Sequence, residues 1–201
     1  MTAALIDGIR REGIASLPWS DAAQTTRRRL AFLHETDRSW PDVSDAALSE
    51  ALGEWLAPYV GRARSLADLS RVDLAGALLS LLSWDRRALL DDLAPTHIAV
   101  PSGSRIPVDY TDPAAPVLAV RLQEMFGLAD TPRIARGQVP LTVHLLSPAH
   151  RPVQVTRDLA GFWRTSYFDV RKDLRGRYPK HYWPDDPLAA QPTRRAKPRG
   201  Q

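Results

Sequence analysis

Cysteine is absent from the 201 residues, so neither disulfides nor thiolate metal sites can contribute to the fold. There is no run of about 18 apolar residues, which excludes a helical membrane span. The N-terminus lacks the basic segment, apolar core and small-residue cleavage site of a secretory signal. A reduced, cytoplasmic setting is therefore expected. The signatures of nucleotide and hydrolytic chemistry are missing as well: no G-x-x-x-x-G-K-[ST], no G-x-G-x-x-G, no H-E-x-x-H and no G-x-S-x-G. The histidines (His34, His97, His144, His150 and His181) have no metal-ligand spacing, and His97 and His144, in strand-like contexts, read as structural. Ser147, His144 and Asp109 can be written down as a triad, but nothing in their spacing favours it. No catalytic residues, no metal and no cofactor are expected within this chain.

Lysine is also scarce, with 3 lysines against 24 arginines. Arginine suits bidentate phosphate contacts, although a GC-rich coding sequence explains the bias equally well. The remaining composition, 44% hydrophobic and 25% charged, is that of a soluble globular chain, long enough to bury roughly 70% of its unfolded surface. Charge is unevenly spread. Residues 1–100 hold 11 basic and 14 acidic side chains, whereas residues 101–201 hold 16 and 9. A polyanionic partner would meet the second half.

The spacing predicts an α+β protein: a helical region over 1–93, an α+β domain over 94–187 and a disordered Pro/Arg-rich tail over 188–201. In the first region Leu5, Ile6 and Ile9 start a short helix ended by Gly8 and Gly13. Ser20–Glu35 forms a longer one with Arg27, Arg28 and Arg29 on a solvated face. Ser44 starts the next, with Val43 and Leu48 placed as a hydrophobic staple and Leu48, Leu52, Trp55 and Leu56 as its core stripe up to Pro58. Ser65 with Asp68, Asp73 and Ser83 are further cap candidates. These helices are short and should pack as a bundle. The pattern changes at Pro95. Thr96–Val100 and Arg105–Tyr110 alternate as a hairpin, Val117–Phe126 suits a helix ended by Gly127, Val139–Leu146 and Val153–Val155 suit two further strands, and Arg157–Leu174 one long helix. The sheet is expected to be small and antiparallel, packed with that helix.

On a helical wheel of 100° per residue, Leu159, Trp163, Tyr167, Val170 and Leu174 make a core stripe. Arg157, Arg164, Arg171 and Arg175 make a second row, with Phe168 inside it and Lys172 beside it. Cations that track phosphates, together with a ring on which a base can stack, are the ingredients of single-stranded nucleic-acid binding; a plain solvated helix face has the same pattern. The next segment interleaves Arg175, Arg177, Lys180 and His181 with Tyr178, Tyr182 and Trp183. It reads either as a continuation of the binding surface or as a C-terminal strap pinned by its aromatic rings. Candidate nucleic-acid-binding residues are thus Arg157, Arg164, Phe168, Arg171, Lys172, Arg175, Arg177, Tyr178, Lys180 and His181.

Several segments are more specific than these patterns. They are Leu-Ala-Pro-Thr-His at 93–97, Pro-Ser-Gly-Ser-Arg-Ile-Pro-Val-Asp-Tyr at 101–110, and Val-Leu-Ala-Val-Arg-Leu-Gln-Glu-Met-Phe-Gly-Leu at 117–128. Leu-Leu-Ser-Pro follows at 145–148, Arg-Pro-Val-Gln-Val-Thr at 151–156, Asp-Leu-Ala-Gly-Phe-Trp at 158–163, and Val-Arg-Lys-Asp-Leu-Arg-Gly-Arg-Tyr-Pro-Lys-His at 170–181. Together they resemble the C-terminal domain of HrpB-type bacterial ATP-dependent helicases of the DEAH-box group. Leu-Pro-Trp-Ser at 17–20 and Trp-Leu-Ala-Pro-Tyr at 55–59 extend the resemblance over nearly the whole chain. The resemblance implies a helicase whose ATP- and Mg-dependent core lies outside these residues, with single-stranded RNA or DNA and the motor domains as partners and no membrane. None of that family's catalytic residues maps onto a position here. The alternative is a protein-interaction module that docks its basic helix on an acidic partner.

Overall fold

The computed structural model describes residues 2–61 and 66–198. Contacts divide the chain into two compact units, residues up to 94 together with 110–114, and residues 95–109 together with those from 115 onward.

The first unit is helical. Helix α1 (Thr2–Glu12) runs through Gly8 and stops only at Gly13, whose φ of 87° favours glycine. Helix α2 (Asp21–Thr36) begins where Ser20 accepts from the Ala23 amide. Ser44 likewise accepts from the Ala47 amide to start α3 (Asp45–Glu50), and Val43 and Leu48 are both buried, as the staple requires. The expected single helix up to Pro58 is interrupted at Ala51, after which α4 spans Leu52–Trp55. Beside the break the Trp55 indole donates to the Leu48 carbonyl at 2.9 Å. Leu48, Leu52, Trp55 and Leu56 are nevertheless all buried. Asp73 caps α5 (Leu74–Leu79) through the Gly76 amide, whereas Ser83, before α6 (Trp84–Leu93), makes no side-chain cap bond. Ser65 lies outside the described residues.

The arginine run on α2 is not a solvated face. Arg29 is buried and donates to the carbonyls of Ala94 and Leu90 and to Asp91. Arg27 stacks on Trp19, donates to the Val43 carbonyl at 2.8 Å and pairs with Asp45. Only Arg28 projects into solvent.

The second unit carries a five-stranded sheet of order β1-β2-β3-β6-β7. Strands β1 (His97–Ala99) and β2 (Arg105–Asp109) form the expected hairpin. Strand β3 (Val117–Arg121) occupies the segment expected to be helical. Leu118 and Val120 point inward and Ala119 is exposed, the two-residue period of a strand. Strand β3 is hydrogen-bonded on both sides, antiparallel to β2 and parallel to β6 (Thr142–Leu146), so the sheet is mixed rather than antiparallel. A parallel neighbour needs a long connection. Residues 122–141 supply it, including a small separate hairpin of β4 (Arg133–Ile134) and β5 (Val139–Pro140). Strand β7 (Pro152–Thr156) closes the order with a bulge opposite Leu145/Leu146.

The long helix expected over 157–174 is two helices, α7 (Leu159–Arg164) and α8 (Tyr167–Arg177). Asp158 caps α7 through the Gly161 amide at 2.8 Å. A Cβ on Gly161 would lie 2.1 Å from an oxygen of that carboxylate, so a larger residue there would make the Asp158 side chain shift. At the break the Thr165 hydroxyl takes the Gly161 carbonyl at 2.8 Å, a local bond that competes with helix propagation. Phe126, Phe162, Trp163 and Tyr167 form an aromatic cluster with centroids 5.0–6.3 Å apart.

Over its described residues, 188–198, the tail forms no helix or strand and is nevertheless tied down. The Tyr182 amide donates to Ala196, the Thr193 amide donates to Gln123, and Thr193 is buried. The expectation of disorder is corrected to that extent over 188–198.

Candidate nucleic-acid interface

The helix break redistributes the basic row. Arg157 lies in the bend before Asp158, outside both helices, and Arg164 is the last residue of α7. Only Phe168, Arg171, Lys172, Arg175 and Arg177 share α8. On that helix the spacing Phe168, Lys172, Arg175 places three side chains on one face. All three are exposed, Phe168 to 50% of its surface. An exposed ring on one face with two cations is suited to stacking against a base. Arg157, Arg164, Lys172, Arg175 and Lys180 are exposed and make no side-chain hydrogen bond or ion pair among the described residues. Arg177 is exposed but pairs with Asp173 at 3.1 Å on the other side of α8.

Arg171 is not part of this open face. Its Nε donates to the Trp183 carbonyl at 3.0 Å and its Nη2 pairs with Asp185 at 2.5 Å. It holds the segment after α8 as a strap. Tyr167, fully buried, donates its hydroxyl to the Pro184 carbonyl at 2.7 Å, and burial pushes its pKa up. The Trp183 indole donates to the Tyr178 carbonyl at 2.9 Å. Tyr178 and His181 meet edge to face, and Trp183 tilts against His181. Tyr182 packs edge-on against Phe126. These rings serve the strap, which leaves Phe168 as the exposed ring of the candidate set.

Two adjacent residues that sequence reasoning missed organise this end of the unit. Gln123 is buried; its Nε2 donates to the Tyr182 carbonyl at 3.1 Å, its Oε1 accepts from His181 Nδ1 at 2.9 Å, and its backbone carbonyl accepts from Thr193. The His181 pKa is lowered, by burial first and by the charge of Arg121 second. Glu124 is also buried and accepts from Ser102, Ser104 and Arg121. It thereby ties the tip of the β1–β2 hairpin to the turn after β3. Burial pushes its pKa up, but the bonds from Ser104, Ser102 and Arg121 and the charge of Arg121 outweigh that and hold it below the ordinary glutamate value. The only signal for either residue is the segment 117–128 that carries the family resemblance.

The remaining chemistry-bearing residues stay apart. The Ser147 hydroxyl is buried and accepts from the Arg151 amide. His97 is exposed beside Thr96. No group of three metal-ligating side chains forms, and no helix is long and apolar enough to cross a membrane, among the described residues.

The chain thus carries, in sequence order, a helical unit and an α+β unit with a cationic helix and a strap. Residues 55–187 match the family described as ATP-dependent helicase C-terminal, and the chain belongs to that family. In a match 198 positions long that covers 96% of this chain and 24% of the relative, the chain is 48% identical to the ATP-dependent RNA helicase HrpB of Escherichia coli K12. Among solved structures, it is similar to the E. coli DExH-box NTPase HrpB, with a TM-score of 0.89 and 46% identity over 96% of this chain and 24% of that one. A crystal structure of the E. coli DEAH/RHA helicase HrpB gives a TM-score of 0.75 and 43% identity over 90% of this chain and 23% of that one. The chain therefore spans about a quarter of the length of these relatives.

Proposed function

We propose that this chain is an accessory domain of an ATP-dependent RNA helicase that holds single-stranded RNA along α8, while ATP and Mg are handled by motor domains that belong to the parent enzyme. The observation that carries the reading is Phe168, half exposed, on the same face of α8 as the unpaired cations Lys172 and Arg175, one and two turns further on. Arg164 just before α8, Lys180 just after it and Arg157 ahead of α7 are further exposed cations of this segment. Contacts of this kind supply affinity without sequence choice, because phosphates carry no base information. The relative named above is an RNA helicase, which favours RNA over DNA.

A second reading, docking on the motor domains or on an acidic protein, draws on Trp84, which is 82% exposed at the start of α6. Fluorescence anisotropy with a labelled oligo(U) separates the two. Replacing Arg164, Lys172 and Arg175 together by Glu is expected to weaken binding about 100-fold at low salt, through lost phosphate contacts and new repulsion. Thermal stability should hold, since the three side chains are exposed and unpaired among the described residues. Wild-type affinity in that variant would contradict the RNA-binding reading.

A further inference from the structure

The strap encloses, against α8, a cleft of about 600 Å³ whose charged lining is Arg171, Arg175, His181, Asp185, Asp186 and Lys197. Its charges are unevenly matched. Arg175 and Lys197 have no anionic partner among the described residues. Asp186 is engaged in its own turn, where its Oδ1 accepts from the amides of Leu188 and Ala189 at 2.9 and 3.2 Å. That leaves Asp185 as the carboxylate that answers the cations. The Arg171 guanidinium is fixed from inside by the Trp183 carbonyl, and its side chain is only 19% exposed, whereas Asp185, which covers it from outside, is 92% exposed. The arginine is thus pre-oriented, and its anion is held by one ion pair in full contact with water. Such a pair contributes little and is readily exchanged. A phosphate oxygen offers the same charge-assisted geometry with more acceptor atoms.

We infer that the strap cleft is a phosphate seat for the backbone of single-stranded RNA, in which Asp185 is a resident carboxylate occupying Arg171 until a phosphodiester takes its place. The inference rests on the RNA-binding reading of α8 and adds to it a second contact point and a built-in competitor. Arg171 and Arg175 with Lys197 hold the incoming phosphate, and Asp185 swings into solvent. The consequence is a threshold: a strand that only brushes the open face of α8 leaves the seat closed, and one that reaches the strap must displace Asp185.

The test is anisotropy with labelled oligo(U) on the full chain. Asp185→Asn should bind about fivefold tighter at roughly 50 mM salt, with a slope of log affinity against log salt steeper by up to about 0.7, because the one phosphate contact that the wild type makes only after displacing Asp185 is then made in every complex. Lys197→Ala should bind more weakly with a shallower slope. Asp173→Asn makes the same charge change on the other side of α8 and should shift affinity less than twofold. Inorganic phosphate, replacing chloride at equal ionic strength, offers the same acceptor atoms at this one point and should compete only weakly, at millimolar concentration; full displacement of the strand by micromolar phosphate would show a free-phosphate site and overturn the assignment to RNA. Equal tightening by Asp173→Asn, or wild-type behaviour of both Asp185→Asn and Lys197→Ala, would overturn the seat. If the Arg164/Lys172/Arg175 reversal still abolished binding in that case, the α8 face would stand without it.

Discussion

Replacing Arg29 by Met is expected to cost about 3–4 kcal/mol of folding stability, because it strips a buried charge-assisted network while keeping most of the side-chain volume. Arg29 sits on α2 and is 6% exposed. Its partners lie at the C-terminal end of α6, where the last carbonyls of a helix lack intrahelical donors. The Leu90 carbonyl still receives the Ala94 amide, but among the described residues no other donor is seen at the buried Ala94 carbonyl, which Arg29 Nε meets at 2.6 Å. Removing the guanidinium leaves that acceptor in a dry site. The ion pair with Asp91 adds little, since that carboxylate is 89% exposed. Arg29→Lys should recover only part of the loss, because a single ammonium cannot present the planar fork that spans two carbonyls and a carboxylate. Urea unfolding followed by circular dichroism checks both variants. A loss under about 1 kcal/mol in Arg29→Met would mean that the carbonyls find water instead.

The second large effect is expected at Glu124, and it depends on pH. Glu124→Ala should cost about 3 kcal/mol, the range for removing one partner of a buried, hydrogen-bonded ion pair. The carboxylate gathers Ser102, Ser104 and Arg121 and so fixes the hairpin tip against the turn that carries Gln123. Because its pKa is lowered in the folded state, its contribution is fully present above the ordinary glutamate pKa. It is lost as pH falls through the depressed folded value, when the carboxylate takes a proton and the Arg121 pair fails. Stability of the wild type should therefore decline in that acid window. Glu124→Gln should start lower at neutral pH and show a flatter acid limb. Parallel acid limbs in the wild type and Glu124→Gln would place the titration elsewhere.

What the sequence revealed follows from the range of the forces involved. Ser20, Ser44 and Asp73 were readable as helix starts because a cap is made with an amide three residues away. The β1–β2 hairpin was readable for the same reason. Strand β3 was not, since Val117–Phe126 satisfies a helical apolar pattern and becomes a strand through β2 and β6, the latter some 25 residues on in the pairing Leu118↔Val143. Arg29 read as a surface residue because its partners lie 61 to 65 positions away. The candidate site divides along the same line. Phe168, Lys172 and Arg175 follow from spacing on one helix, and the structure leaves them exposed. Arg171 belongs to the same helix, but the strap returns Trp183 and Asp185 onto it. Arg157 left the row because Asp158 starts α7 only after it, and Arg164 is parted from α8 by the break at Thr165.

The account depends on α8 and its neighbours presenting open positive charge to a nucleic-acid strand, and a salt titration of oligo(U) binding to the unaltered chain tests this most directly. With about four phosphates contacted, log affinity should fall against log salt with a slope of about −3. A flat salt response, or no binding at low salt, would contradict it.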